Sequence, residues 1–146
     1  MLPVNWKATL ACLLYLLHGL ASAGELAAEP DTRQACGHHS QAGMRDCLAA
    51  LADDSTSALR QAEARAQAAL QRWDEDARYV AAATARLAAA ARAFGRYREA
   101  QCGWAASLRG GAAGNAREIT RLACVVELNR GRVRQLDTAM APLPAR

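Results

Sequence analysis

The residues best equipped for chemistry in this 146-residue chain are its cysteines: Cys12, Cys36, Cys47, Cys102 and Cys124. Dithiol redox catalysis uses a closely spaced pair such as Cys-x-x-Cys, and no two cysteines here stand that close. Cys36, His38, His39 and Cys47 combine zinc-ligating types, but their spacing is unlike that of structural zinc sites, so no metal is expected. Both histidines beyond the N-terminal region sit side by side, and no serine–histidine–acid constellation can be built around them. Gly110-Gly111-x-x-Gly114 precedes a helical pattern without the Lys-Ser/Thr of a phosphate loop, and reads as a turn. Asp53-Asp54 falls on a polar helix face. Arg130, Arg132 and Arg134 point in different directions around a helix, so they do not form a nucleic-acid stripe. The chain is therefore expected to be non-catalytic, without cofactor or catalytic residues.

The role of the cysteines depends on compartment. Lys7, the apolar run Ala8 to Leu20 and the small residues Ala21-Ser22-Ala23 have the layout of a cleavable signal peptide over residues 1–23. The run is short for a membrane span, so no membrane attachment is expected after cleavage. Removing it takes away Cys12 and the single lysine. Cys36, Cys47, Cys102 and Cys124 then remain in an exported chain, and an even number there reads as two disulfides. Three connectivities are possible. Cys36–Cys47, which staples the arm to the first helix, with Cys102–Cys124, which staples the second helix to the third across the glycine loop, is favoured; hairpin geometry leaves Cys47–Cys102 with Cys36–Cys124 open. The mature chain carries 17 arginines and 14 acids, a net charge of +3 with the signs interspersed. Such a surface suits solubility better than polyanion binding. The exclusive use of arginine points to a GC-rich bacterial coding sequence.

The elements that position these residues are helical. Hydrophobic residues make up 52% of the chain and aromatics 5%, and 37 residues are alanine, the strongest helix former and a poor contributor of buried area. β-branched and aromatic residues are too few for a sandwich or barrel. Residues 24–41 mix small, polar and turn-forming types and are expected to form an irregular arm. Residues 42–140 form the helical domain, and 141–146, with Pro142 and Pro144, a tail.

A first stripe runs Met44, Leu48, Leu51, Ala58, Ala62, Ala66, Ala69, Trp73. A second runs Val80, Ala83, Leu87, Ala90, Phe94, Tyr97, Gln101, Trp104, Leu108, in alternating steps of three and four. Asp74-Glu75-Asp76 lies between them as a turn, with acids suited to the start of the second helix. One continuous helix of about 65 residues would be roughly 97 Å long, too long for a compact monomer, so a hairpin is expected. Asn115 with Glu118 resembles a capping box for a third helix, which buries Ile119, Leu122, Val126, Val133 and Leu136. Cys124 and Leu128 face away from that stripe, so the third helix must meet more than one neighbour. The expectation is an all-α, three-helix bundle stapled by two disulfides, with Trp73, Phe94, Tyr97 and Trp104 as its large packing anchors.

Three segments carry a resemblance. Ala91-Arg92-Ala93-Phe94-Gly95-Arg96-Tyr97-Arg98-Glu99-Ala100-Gln101-Cys102, the pair Cys36 and Gln41-Ala42-Gly43-Met44-Arg45-Asp46-Cys47, and the closing run from Cys124-Val125-Val126-Glu127-Leu128-Asn129-Arg130 to Leu136 resemble the lysozyme inhibitor LprI-like family. Phe94 stands where that family usually has tryptophan. The resemblance implies a small helical, disulfide-linked, secreted or periplasmic domain, some of whose relatives inhibit lysozyme. Phe94, Tyr97, Arg98 and Trp104 would be structural, with the Arg98 guanidinium, one turn before Cys102, pairing with neighbours of Glu99 or capping carbonyls across the bundle.

The functional expectation is an exported envelope protein that binds a protein partner, with lysozyme as the candidate. Lysozyme's cleft works through two carboxylates, which a neutral or cationic protrusion would fit. Arg109, Gly110, Gly111, Gly114, Asn115 and Arg117 make the best candidate, and His38 to Ser40 the second. The alternative is a structural or adaptor module of the periplasm that takes a partner helix into alanine-lined grooves.

Overall fold

A computed structural model describes residues 32–111 and 114–145. The signal peptide expected over residues 1–23 and the first part of the arm lie outside these residues. A one-turn helix α1 (Thr32–Ala35) precedes three long helices, α2 (Gln41–Arg72), α3 (Ala77–Ser107) and α4 (Ala116–Met140). At 1.5 Å per residue they run about 48, 46 and 38 Å. The fold is all-α, and among the described residues the sole β-type pairing is an isolated bridge between Trp73 and Ala145. The stretch expected as an irregular arm is thus partly ordered. Thr32 of its helical turn and Cys36 just after it are buried, and the Cys36–Cys47 bond holds this segment against α2.

Local chemistry sets the helix ends. The Ser40 side chain accepts from Gly43 N (3.2 Å) at the start of α2. At the acidic turn, Asp76 accepts from Arg78 N (2.9 Å) and caps α3, so the chain does fold back near Asp74. Asp74 N also donates to Pro144 O (3.0 Å), which pins the C-terminal tail to that turn. The capping box expected at α4 does not form. Asn115 adopts αR geometry and makes no side-chain cap, while Glu118 turns instead to Arg121 (2.6 Å).

α4 is the common partner of the bundle, packing on both α2 and α3, whereas α2 and α3 meet far less. One apolar cluster joins Cys36, in the turn after α1, with Leu48 and Ala52 of α2 and Ile119, Leu122, Ala123 and Val126 of α4. A second, toward the hairpin turn, joins Leu59, Ala62, Ala66 and Leu136, with Leu87 and Phe94 of α3 packed against it. Both expected short-range disulfides are present, Cys36–Cys47 and Cys102–Cys124. They exclude the long-range alternative, and they occupy the thiolates that a zinc site at Cys36 and Cys47 would need.

The stripes need correction. On α2 the core takes Ala52, Ser55, Leu59 and Leu70 in place of Ala58 and Ala69. On α3, Phe94 packs inward, but Tyr97 and Trp104 are 53% and 59% exposed and anchor nothing. The second stripe keeps a 3.5-residue period, and a straight helix drifts about 20° per heptad from it. By the last heptads the stripe has rotated off the buried side, which runs through Leu87, Ala91, Phe94, Arg98, Cys102 and Ala106.

Candidate functional site

Between the two apolar clusters lies a polar layer that crosses all three long helices. Asn129 of α4 has no solvent exposure. Its Oδ1 accepts from Arg98 Nη1 (2.7 Å) of α3, and its Nδ2 donates to Ser55 Oγ (3.0 Å) and Thr56 Oγ1 (3.2 Å) of α2. Arginine only donates, so the amide oxygen must face it and the amide nitrogen must face the hydroxyls. Both hydroxyls then donate to Ala52 O, at 2.9 and 2.8 Å. Arg98 therefore joins Asn129 rather than an acid or a row of carbonyls. Its guanidinium and that of Arg132 each lie within 6 Å of the Phe94 ring centre, at 5.9 and 5.8 Å. This layer is positioned to hold the helices in register.

The candidate loop sits at the disulfide end. Gly110 and Gly114 have φ of +71° and +48°, the left-handed region that a side chain makes costly, so this reversal depends on glycine. Gly110, Gly111, Gly114 and Arg117 are exposed, and Asn115 is half-buried. Arg109 Nε donates to Thr120 Oγ1 (2.9 Å), and Arg33 Nη2 of α1 donates to the same oxygen (2.9 Å). Thr120 Oγ1 itself donates to Ala116 O (2.8 Å). Two guanidinium groups thus converge on one neutral hydroxyl, beside a cleft of about 280 Å³ lined by Gln41, Met44, Ala116 and Ile119.

The second candidate lies at this same end. His38 and His39 are exposed with ring centres 3.9 Å apart, just beyond Cys36. Nearby, the hydrogen bond from Arg121 holds the Glu118 carboxyl below its usual range, and Arg121 is raised in return. Thr120 and Arg33 were not legible as partners of the loop. Thr120 is a lone hydroxyl on a helix, and Arg33 lies 87 positions away in sequence.

Among the described residues no cluster of three or more histidine, cysteine or acidic groups could hold a metal, and no helix is long and apolar enough to cross a membrane. No curated protein and no solved structure matches the chain. The profile of the lysozyme inhibitor LprI family does, over residues 32–136, which takes in both disulfides, the polar layer and the glycine loop. That span is well over half of the sequence, and the chain belongs to the lysozyme inhibitor LprI family.

Proposed function

We propose that the protein is an exported, non-catalytic binding protein of the bacterial envelope that inhibits lysozyme by occluding its cleft. Family membership across residues 32–136 carries this reading. Two disulfides fit an oxidising compartment, periplasmic or extracellular. The segment from Arg109 to Arg117 has an arginine at each end and no acid between, and its glycines leave little side-chain bulk. Such a protrusion suits a cleft built on two carboxylates. The mature chain's net charge of +3, 17 arginines against 14 acids, offers no long-range steering toward a basic enzyme, so complementarity has to be local. The test is lysozyme-driven clearing of a cell-wall suspension with excess purified protein. Loss of clearing is expected, and an unchanged rate overturns the reading.

A second reading is an adaptor that binds a helix of another envelope protein. It is favoured by a groove of about 380 Å³ between α2 and α3, lined by Ala64, Thr84, Leu87, Ala88 and Ala91. It predicts full lysozyme activity in the same assay.

A further inference from the structure

The cleft at the disulfide end brings two guanidinium groups together. Arg33, Arg109 and Thr120 form its polar wall and Met44, Ala116 and Ile119 its apolar wall, and none of the described residues lining it is acidic. Acids of the adjoining helix turns are engaged elsewhere, Asp46 with Arg45 (2.7 Å) and Glu118 with Arg121 (2.6 Å). Arg33 comes from α1, Arg109 from the turn after α3 and Thr120 from α4, so the site is assembled only by the folded bundle. The Cys36–Cys47 bond holds the first of these segments in place.

The atom on which the two groups meet carries no charge. Thr120 Oγ1 gives its own hydrogen to Ala116 O (2.8 Å), and each of its lone pairs takes one guanidinium N–H at 2.9 Å. Two cationic nitrogens are thus held within about 6 Å of each other around a neutral oxygen. Arg109 spends only its Nε there; its Nη groups hydrogen-bond to no described residue. Their planar edge is the fork that takes a carboxylate through two parallel bonds, stronger than bonds to a neutral acceptor. Beside it, half-buried Met44 and Ala116 offer an apolar surface that a bare inorganic anion would leave uncovered and a short aliphatic stem would cover. Asn115 gives α4 no side-chain cap, so the helix start at Ala116 adds a favourable field for a negative group. At about 280 Å³ the cleft is small for a ligand site, which suits a small acid or the last residue of a chain. We infer that this cleft is a carboxylate-binding site. Arg109 grips the group through its Nη edge, Arg33 supplies the second positive charge, and Met44 and Ala116 cover the aliphatic stem. None of this depends on lysozyme, so the site stands or falls separately from the inhibitor reading.

The test is an NMR titration of the protein with propionate, propionamide, inorganic phosphate and an acetylated tri-alanine peptide with a free C-terminus. Propionate and the peptide are expected to shift the amide signals of Ala116, Ile119 and Thr120 to saturation in the millimolar range, and propionamide to leave them unmoved. Equal affinity for the two assigns the cleft to a small free acid and a tighter peptide assigns it to a chain end; both support the site. Arg109→Gln is expected to weaken propionate binding by at least about tenfold, the loss that a charge-assisted pair implies. Arg96→Gln, which removes an exposed α3 arginine outside the cleft, is expected to leave it unchanged. Circular dichroism checks that both variants keep their helices. Signals that neither propionate nor the peptide moves overturn the inference. So does a folded Arg109→Gln that binds as well as the parent, or propionamide that binds as tightly as propionate. Phosphate binding as tightly as propionate overturns the assignment to carboxylates and leaves a site that reads charge alone.

Discussion

Asn129 shows how a single buried amide can organise this bundle. It is the one side chain that touches all three long helices within the polar layer, and each of its hydrogen-bonding groups is used. In Asn129→Ala the Ser55 and Thr56 hydroxyls keep Ala52 O, but Arg98 loses its acceptor in a half-buried site. A charged donor left in that state costs about 1–3 kcal/mol, and urea unfolding of the variant should show a loss of that size. A loss below about 0.5 kcal/mol would mean that water replaces the amide. Asn129 was readable in principle, since it falls in phase with Ile119, Leu122, Val126, Val133 and Leu136. Periodicity marks a position as inward-facing whatever its side chain. A polar residue in that phase needs a partner, and the partner's identity depends on the neighbouring helices.

At the scale of the element, α3 departs most from its sequence pattern. The strict alternation of threes and fours describes a seam that follows a supercoil, whereas the inward side of α3 steps through Leu87, Ala91, Phe94, Arg98, Cys102 and Ala106. Phe94 therefore lies against Leu59, Ala62, Ala66 and Leu136, whereas Trp104, ten residues later, is in solvent. Phe94→Ala should cost about 2–3 kcal/mol, less than for a fully buried ring, because the site is half-exposed. Trp104→Ala should stay within about 0.5 kcal/mol. Equal losses in thermal unfolding would contradict the assignment of inner and outer faces.

For the whole molecule, the core comes in two small pieces rich in alanine and separated by the polar layer. The disulfides close loops with separations of 11 and 22 residues, and chain entropy assigns each about 3 kcal/mol. Domains of this size are typically stable by about 5–15 kcal/mol, so the two bonds together are a large share. Urea unfolding in the presence of a strong reductant should show a much lower midpoint than in its absence. An unchanged midpoint would mean that the helices suffice by themselves.

Much of the architecture was legible because it depends on local chemistry. Alanine content and the scarcity of breakers specify helices, Asp76 caps α3, and glycine permits the reversal at 110 and 114. The disulfides that form are the ones that staple the arm to the first long helix and the second to the third across the glycine loop, the pairing that the order of elements favoured. The tertiary structure decided matters that depend on distance across the bundle. It placed Asn129 between Arg98 and Ser55, drew Arg33 and Arg109 onto Thr120, and turned Tyr97 and Trp104 outward. A helical pattern states which residues share a face. Which face is covered depends on the angle at which other helices arrive, and for α3 that angle left its aromatic side open.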